Sequence, residues 1–170
     1  MVNGTELSFF LWMKNLNGGL MIGFIFVLFC FISILPITIL LHELGHFFCA
    51  LLCKASRITI TIGIGKKIGQ LKSKNSTLIL HMLPLSGKTS YEVVHYSKYR
   101  QILISIGGPV LNGIVGFLLL LPGIGHGDQL ITFWFQWLAL FNVWMFLVNI
   151  LPFKFGKYSS DGWVVINSLK

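Results

Sequence analysis

Three apolar runs, separated by one alternating stretch and one short polar loop, lay out this chain. From Leu20 to Cys53 Glu43 is the only acid, and there is no Lys or Arg. As one helix this run would be about 50 Å long, more than the ~30 Å hydrocarbon core needs. It must tilt, kink or protrude, and Pro36 is the expected break. The period then changes. Ile58, Ile60, Ile62 and Ile64 alternate with Thr59, Thr61 and Gly63, as in a strand. Lys66 to Ser76 is polar and turn-like, and Thr77 to Leu83 is a second strand candidate stopped by Pro84. Residues 57–87 are therefore predicted to form a β-hairpin beside the membrane, entering the bilayer edge only where protein covers it. It is either a stabilising hairpin or one whose free edge pairs with an extended peptide.

Gln101 to Pro122 is the second span. Ser105, Gly108, Asn112 and Gly116 make one small, polar stripe on it, suited to close helix packing. Gly123 to Gln129 is a short loop containing His126 and Asp128. Leu130 to Leu151 is the third span, with Asn142 and Asn149 on one face; Trp134, Trp137 and Trp144 fit packing or interfacial anchors. Residues 1–19 read as an N-terminal interfacial segment, with Phe9–Met13 at the membrane surface. They lack the basic start and small-residue cleavage site of a signal peptide. Residues 158–170 carry Asp161-Gly162 and then an apolar tail that turns back toward the membrane. The predicted fold class is a membrane protein, mainly α-helical, with about three transmembrane helices and a membrane-associated β-hairpin between the first and second, all one domain over 1–170.

Composition supports the bilayer setting. Hydrophobic residues are 55% and charged residues 11%, against about 25% charged in soluble domains, and the mean hydropathy is +0.80. The net charge is +8, but nine of the thirteen Lys and Arg fall between Lys54 and Arg100. Such a cluster sets orientation and does not mark a nucleic-acid surface. It puts Lys54–Arg100, with Lys154 and Lys157, on the cytoplasmic side, and the Gly123–Gln129 loop and N-terminus outside. Cys30, Cys49 and Cys53 all lie in the first run, which gives no disulfide framework. Cys49 and Cys53 share a face with His46; they read as small core residues, with a metal role as the alternative.

The chemistry sits in the first span, at His42-Glu43-Leu44-Gly45-His46. On a helix His42 and His46 are one turn apart on one face, a spacing that lets two imidazoles hold a single zinc ion. Glu43 stands beside them to take a proton from a metal-bound water. Ionisable groups in mid-bilayer cost roughly 2.5–3.5 kcal/mol each on insertion scales, so this cluster needs a partner. A catalytic zinc wants a third protein ligand. There are five carboxylates. Glu43 is the base, and Glu6 and Asp128 are predicted on the far side. Asp161 follows the third span on the correct side, and Glu92 is the alternative; Asp161 could otherwise be a turn or N-cap residue. Asn112 is either an interhelical bridge or a group that holds a substrate backbone or an oxyanion. His81 and His95 read as surface or core histidines.

His42-Glu43-Leu44-Gly45-His46, then Gly107-Gly108-Pro109-Val110-Leu111-Asn112, then Asn149-Ile150-Leu151-Pro152 leading to Asp161-Gly162, together resemble the site-2 protease family of intramembrane zinc metalloproteases. The likeness runs from about Leu40 to Gly162, with the motifs in the family's order. It implies that His42, His46 and Asp161 bind one Zn2+, that Glu43 is general base and acid, and that Asn112 helps position substrate or oxyanion. It implies that Ile58–Leu85 is the family's membrane-associated β element. The interval from Pro152 to Asp161 is longer than is usual in the family. The small form is expected, with no PDZ or CBS module in 170 residues. Only eight residues follow Gly162, which suggests a minimal or incomplete chain.

The expected activity is hydrolysis of a peptide bond within or near a transmembrane segment of a membrane protein or signal-peptide-like substrate. The expected place is a cell membrane, prokaryotic, with the lipid bilayer as surroundings, no nucleic acid as partner, and the active site toward the cytoplasm. The alternative is a zinc-binding membrane scaffold without turnover, which would have no need of Glu43. A metal transporter would want ionisable residues on several spans, whereas the second and third offer amides.

Overall fold

The computed structural model describes residues 4–92, 97–121, 128–156 and 158–170, with side chains from residue 19 onward. Expectations for the side chains of Glu6 and Phe9–Met13, and for His95, His126, Lys157 and most of the 123–129 loop, fall outside these residues. The chain forms two compact units, Met1–Ser33 and Ile34–Lys170. The first helix, α1 (Gly4–Leu52), supplies the first unit and opens the second. In the first unit Leu20, Met21, Ile22 and Phe24 are exposed, as suits lipid-facing side chains.

Pro36 does not break α1. A proline removes one ladder hydrogen bond, and the helix on either side carries through that loss. What ends α1 is its C-terminus. Lys54 adopts a left-handed φ of 55°, and the Ala55 amide reaches back to the Ala50 carbonyl at 2.9 Å. This closes the last turn in the manner of a Schellman cap.

Next come β1 (Ser56–Lys72) and β2 (Ser76–Glu92), the hairpin between the first and second long helices. It is larger than the alternating isoleucines suggest. Ile58–Ile62 pairs on one edge with residues 87–92 (Ile60 opposite Thr89, Ile62 opposite Gly87), and on the other with 76–80 (Ile60 opposite Leu78). The stretch Lys67–Lys72, expected as turn, is strand paired to Thr77–His81. Gly63 and Gly65, at φ 92° and 88°, occupy the left-handed region where β1 folds over. Lys66–Lys72 shows no alternation because it is largely exposed. The isoleucine strand is thus an inner one, with no free edge. Residues 87–92 have a sheet partner on one side only among the described residues.

Helices α2 (Lys98–Leu119) and α3 (Gln129–Ile150) follow. Together with Gly19–Leu52 of α1 they are the three helices among the described residues long and apolar enough to cross a membrane. Asp128 caps α3 by accepting from the Leu130 amide at 2.8 Å. Ser105, Gly108, Asn112 and Gly116 all lie on the buried face of α2. The close approach is real: a Cβ on Gly45 would fall 2.7 Å from the Gly107 carbonyl carbon and 2.8 Å from Gly108 Cα. The isoleucine strand packs on α1: Ile58 clusters with Ala50, Cys53, Ala55 and Ile104, and Ile60 and Ile62 with Ile39. Outward apolar side chains such as Leu140 and Trp144 remain exposed. An apolar groove of about 470 Å³ on α2 and α3, lined by Val110, Ile114, Phe117 and Phe146 among others, is part of that outer surface.

After α3 comes a two-residue ribbon, β3 (Lys154–Phe155) against β4 (Tyr158–Ser159), and a short helix α4 (Asp161–Leu169). The long interval between Pro152 and Asp161 is absorbed here. The Ser160 amide bonds to Phe153 O at 3.0 Å. The Ser160 hydroxyl donates to Leu151 O at 2.6 Å and accepts from the Phe153 and Trp163 amides at 3.0 and 3.1 Å. One buried serine both closes the loop and caps α4. Gly162 lies against the end of α3, where a Cβ would come within 2.7 Å of the Ile150 carbonyl carbon.

Candidate metal centre

These contacts bring Asp161, the first residue of α4, to the histidines of α1. Asp161 Oδ2 is 3.1 Å from His42 Nε2 and Oδ1 is 3.5 Å from His46 Nε2. The two Nε2 atoms are 3.1 Å apart. His46 Nδ1 lies 2.7 Å from the Ile104 carbonyl, which can only accept, so this nitrogen carries the proton. That leaves His46 Nε2 with its lone pair aimed at the centre of the group, the usual arrangement behind a metal-binding imidazole. Asp161 Oδ2 is buried and, despite its nearness to His42, has no aligned hydrogen bond. A carboxylate oxygen without a hydrogen bond, beside two imidazole nitrogens, is a donor set for a cation. Among the described residues this is the one group of His, Cys, Asp or Glu so placed, its ligand atoms within 4.8 Å of one another. Two histidines and an aspartate suit zinc, with a coordination position left over.

The group opens into a cavity of about 450 Å³ that Glu43 also lines, with Gly87, Thr89, Tyr91, Ser105, Asn149 and Ser159. Gly108 forms the floor beneath the imidazoles: a Cβ there would fall 2.7 Å from His46 Cε1 and 2.9 Å from His42 Cε1. Glu43 accepts a hydrogen bond from the Thr89 hydroxyl, Oγ1 to Oε2 2.5 Å.

Other candidates stand elsewhere. Glu92 is exposed and pairs with Arg57 at 3.3 Å. Cys53 is in the core and Cys49 packs against Gly107. Asn112 is wholly buried, donates to Thr38 O at 3.3 Å, and does not line the cavity. The amide that does line it is Asn149 on α3. Its place in Asn149-Ile150-Leu151-Pro152 was the signal available beforehand. Thr89 and Gly87 had none, because their contacts with Glu43 span more than forty residues.

Helices long and apolar enough to cross a membrane, with two histidines of the first meeting Asp161 of the short α4, define the class: a membrane protein with a candidate metal centre. The profile of peptidase family M50 matches residues 30–127, and the chain belongs to that family, the site-2 proteases. With three apolar helices it is a multi-pass membrane protein. A protein of Thermotoga maritima is 32% identical over 112 residues, 56% of this chain and 22% of its own length. One of Clostridium acetobutylicum is 30% identical over 108 residues, 56% of this chain and 32% of its own. Both are named "Putative zinc metalloprotease". The chain thus spans about a fifth to a third of the length of these two relatives.

Proposed function

We propose that this chain is an intramembrane zinc metallopeptidase that hydrolyses a peptide bond within or near a transmembrane segment. One observation carries the proposal: His42, His46 and Asp161 converge on one point of a cavity that also contains Glu43. His42 Nε2, His46 Nε2 and the Asp161 carboxylate would hold a single zinc ion. Zinc bound there supplies a Lewis acid and lowers the pKa of water toward neutrality.

Glu43 takes the proton from the attacking water and later delivers it to the leaving amine. Asn149 and Ser105 are among the neutral polar groups that the cavity offers to the substrate backbone. Asn112 acts at one remove, by fixing α1 through Thr38. A helical substrate hides its carbonyls and must unwind before cleavage; the open side of residues 87–92 is the strand edge on which it can lie extended. The substrate class is a membrane protein or signal-peptide-like segment, and the excess of Lys and Arg in Lys54–Arg100 supports a cavity facing the cytoplasm.

The test is Glu43→Gln in the full chain. Cleavage should fall by about 10²- to 10⁴-fold with zinc content unchanged. Undiminished cleavage would remove Glu43 from the chemistry, and a wild-type chain that holds zinc and cuts no membrane substrate supports the scaffold alternative.

A further inference from the structure

We propose that Thr89 is a positioning residue for Glu43, and that the strand carrying it ties substrate binding to placement of the base. The inference rests on the metallopeptidase reading above. The Thr89 hydroxyl has one hydrogen and two acceptors in range, Glu43 Oε2 at 2.5 Å and Glu43 O at 3.4 Å. The nearer is the carboxylate, at a length expected for an O–H···O⁻ bond. Two residues earlier on the same strand face, Gly87 leaves room for the same carboxylate; a Cβ there would fall 2.7 Å from Glu43 Cγ and 2.8 Å from Cδ. One contact attracts the side chain and the other permits it, and both come from one strand.

That strand is itself fixed. Thr89 pairs with Ile60 and Gly87 with Ile62, and both isoleucines are buried in a cluster with Ile39 of α1. The sheet therefore has an apolar anchor on α1 independent of the hydroxyl. A free glutamate side chain turns about several bonds, and a general base must stand within hydrogen-bond reach of the proton it takes. The Thr89 bond removes that freedom. The opposite side of residues 87–92 is the edge proposed to receive the substrate. A substrate seated there lies on the segment that sets the carboxylate, so its register and the base share one frame.

The experiment uses the full chain in detergent, a quenched fluorescent peptide containing a signal-peptide-like apolar helix, and zinc content measured on each variant. Thr89→Val, which keeps the shape and removes the hydroxyl, should lower kcat about 10- to 100-fold, the loss of one hydrogen bond to a charged group. KM should stay within about twofold, with zinc content near wild type. Thr89→Ser should restore kcat. A wild-type kcat in Thr89→Val, a change in KM alone, or no rescue by serine overturns the inference. If Glu43→Gln is inactive while Thr89→Val is not impaired, only the role of Thr89 fails; if Glu43→Gln cleaves normally, the metallopeptidase reading fails with it. The contact is also read without turnover. Thr89→Val should shift Tm differently in the Glu43 and Glu43→Ala backgrounds, and equal shifts would show that the two side chains do not interact.

Discussion

Two polar clusters lie one turn apart on α1, and they differ in what they face. Around Thr38, Asn112 and Asn142 are both wholly buried, with Nδ2 atoms 3.3 Å from Thr38 O and 3.4 Å from Thr38 Oγ1. Around His42, two imidazoles and a carboxylate line an open cavity of about 450 Å³. The sealed cluster is neutral, and its amides spend their donors on helix carbonyls, Asn142 on Leu138 O at 2.8 Å. The open one is ionisable: two imidazole nitrogens and a carboxylate come within 4.8 Å of one another on the cavity wall. A polar residue in a spanning helix thus has two uses. Amides that donate to a neighbouring helix join helices, while ionisable groups that converge on a cavity can hold an ion.

The largest expected effect breaks the open cluster. Asp161→Ala should abolish stoichiometric zinc binding, measured by elemental analysis of the purified protein, and leave the chain folded. A variant that still holds one zinc per chain would separate Asp161 from the centre and erase the contrast. The smallest effect belongs to the sealed cluster. Asn142→Leu should cost about 0.6 kcal/mol, the average for an interhelical hydrogen bond within a membrane protein, read as a modest drop in Tm. Zinc content should not change. If Asn142→Leu instead emptied the metal site while the protein stayed folded, the two clusters would be one functional unit.

Much of this architecture was legible beforehand because membrane constraints are severe. The apolar runs had to be helices, and with five carboxylates in the chain the third ligand narrowed to Asp161 or Glu92. Asp161 was the expected one of the two; the path that carries it to the histidines was not visible, since closure of the long Pro152–Asp161 interval depends on Ser160 bonding back to Leu151 and Phe153. The sheet was half visible: Ile58–Ile62 alternates because one side is buried, but exposed Lys66–Lys72 has no reason to alternate. Asn112 and Asn149 look alike in sequence, both amides in apolar helices. Only the packing of α2 and α3 on α1 decides that one meets Thr38 and the other the cavity. The holders of Glu43, Thr89 and Gly87, come from a strand paired across the sheet, beyond the reach of local periodicity.

The central claim concerns which atoms surround the ion, and X-ray absorption at the zinc edge of the zinc-loaded full chain reads them directly. The account predicts a first shell of nitrogen and oxygen only, at about 2.0–2.2 Å, with outer scattering from two imidazoles. Sulfur at about 2.3 Å, which would bring Cys49 or Cys53 into the shell, or scattering from a single imidazole, would contradict it.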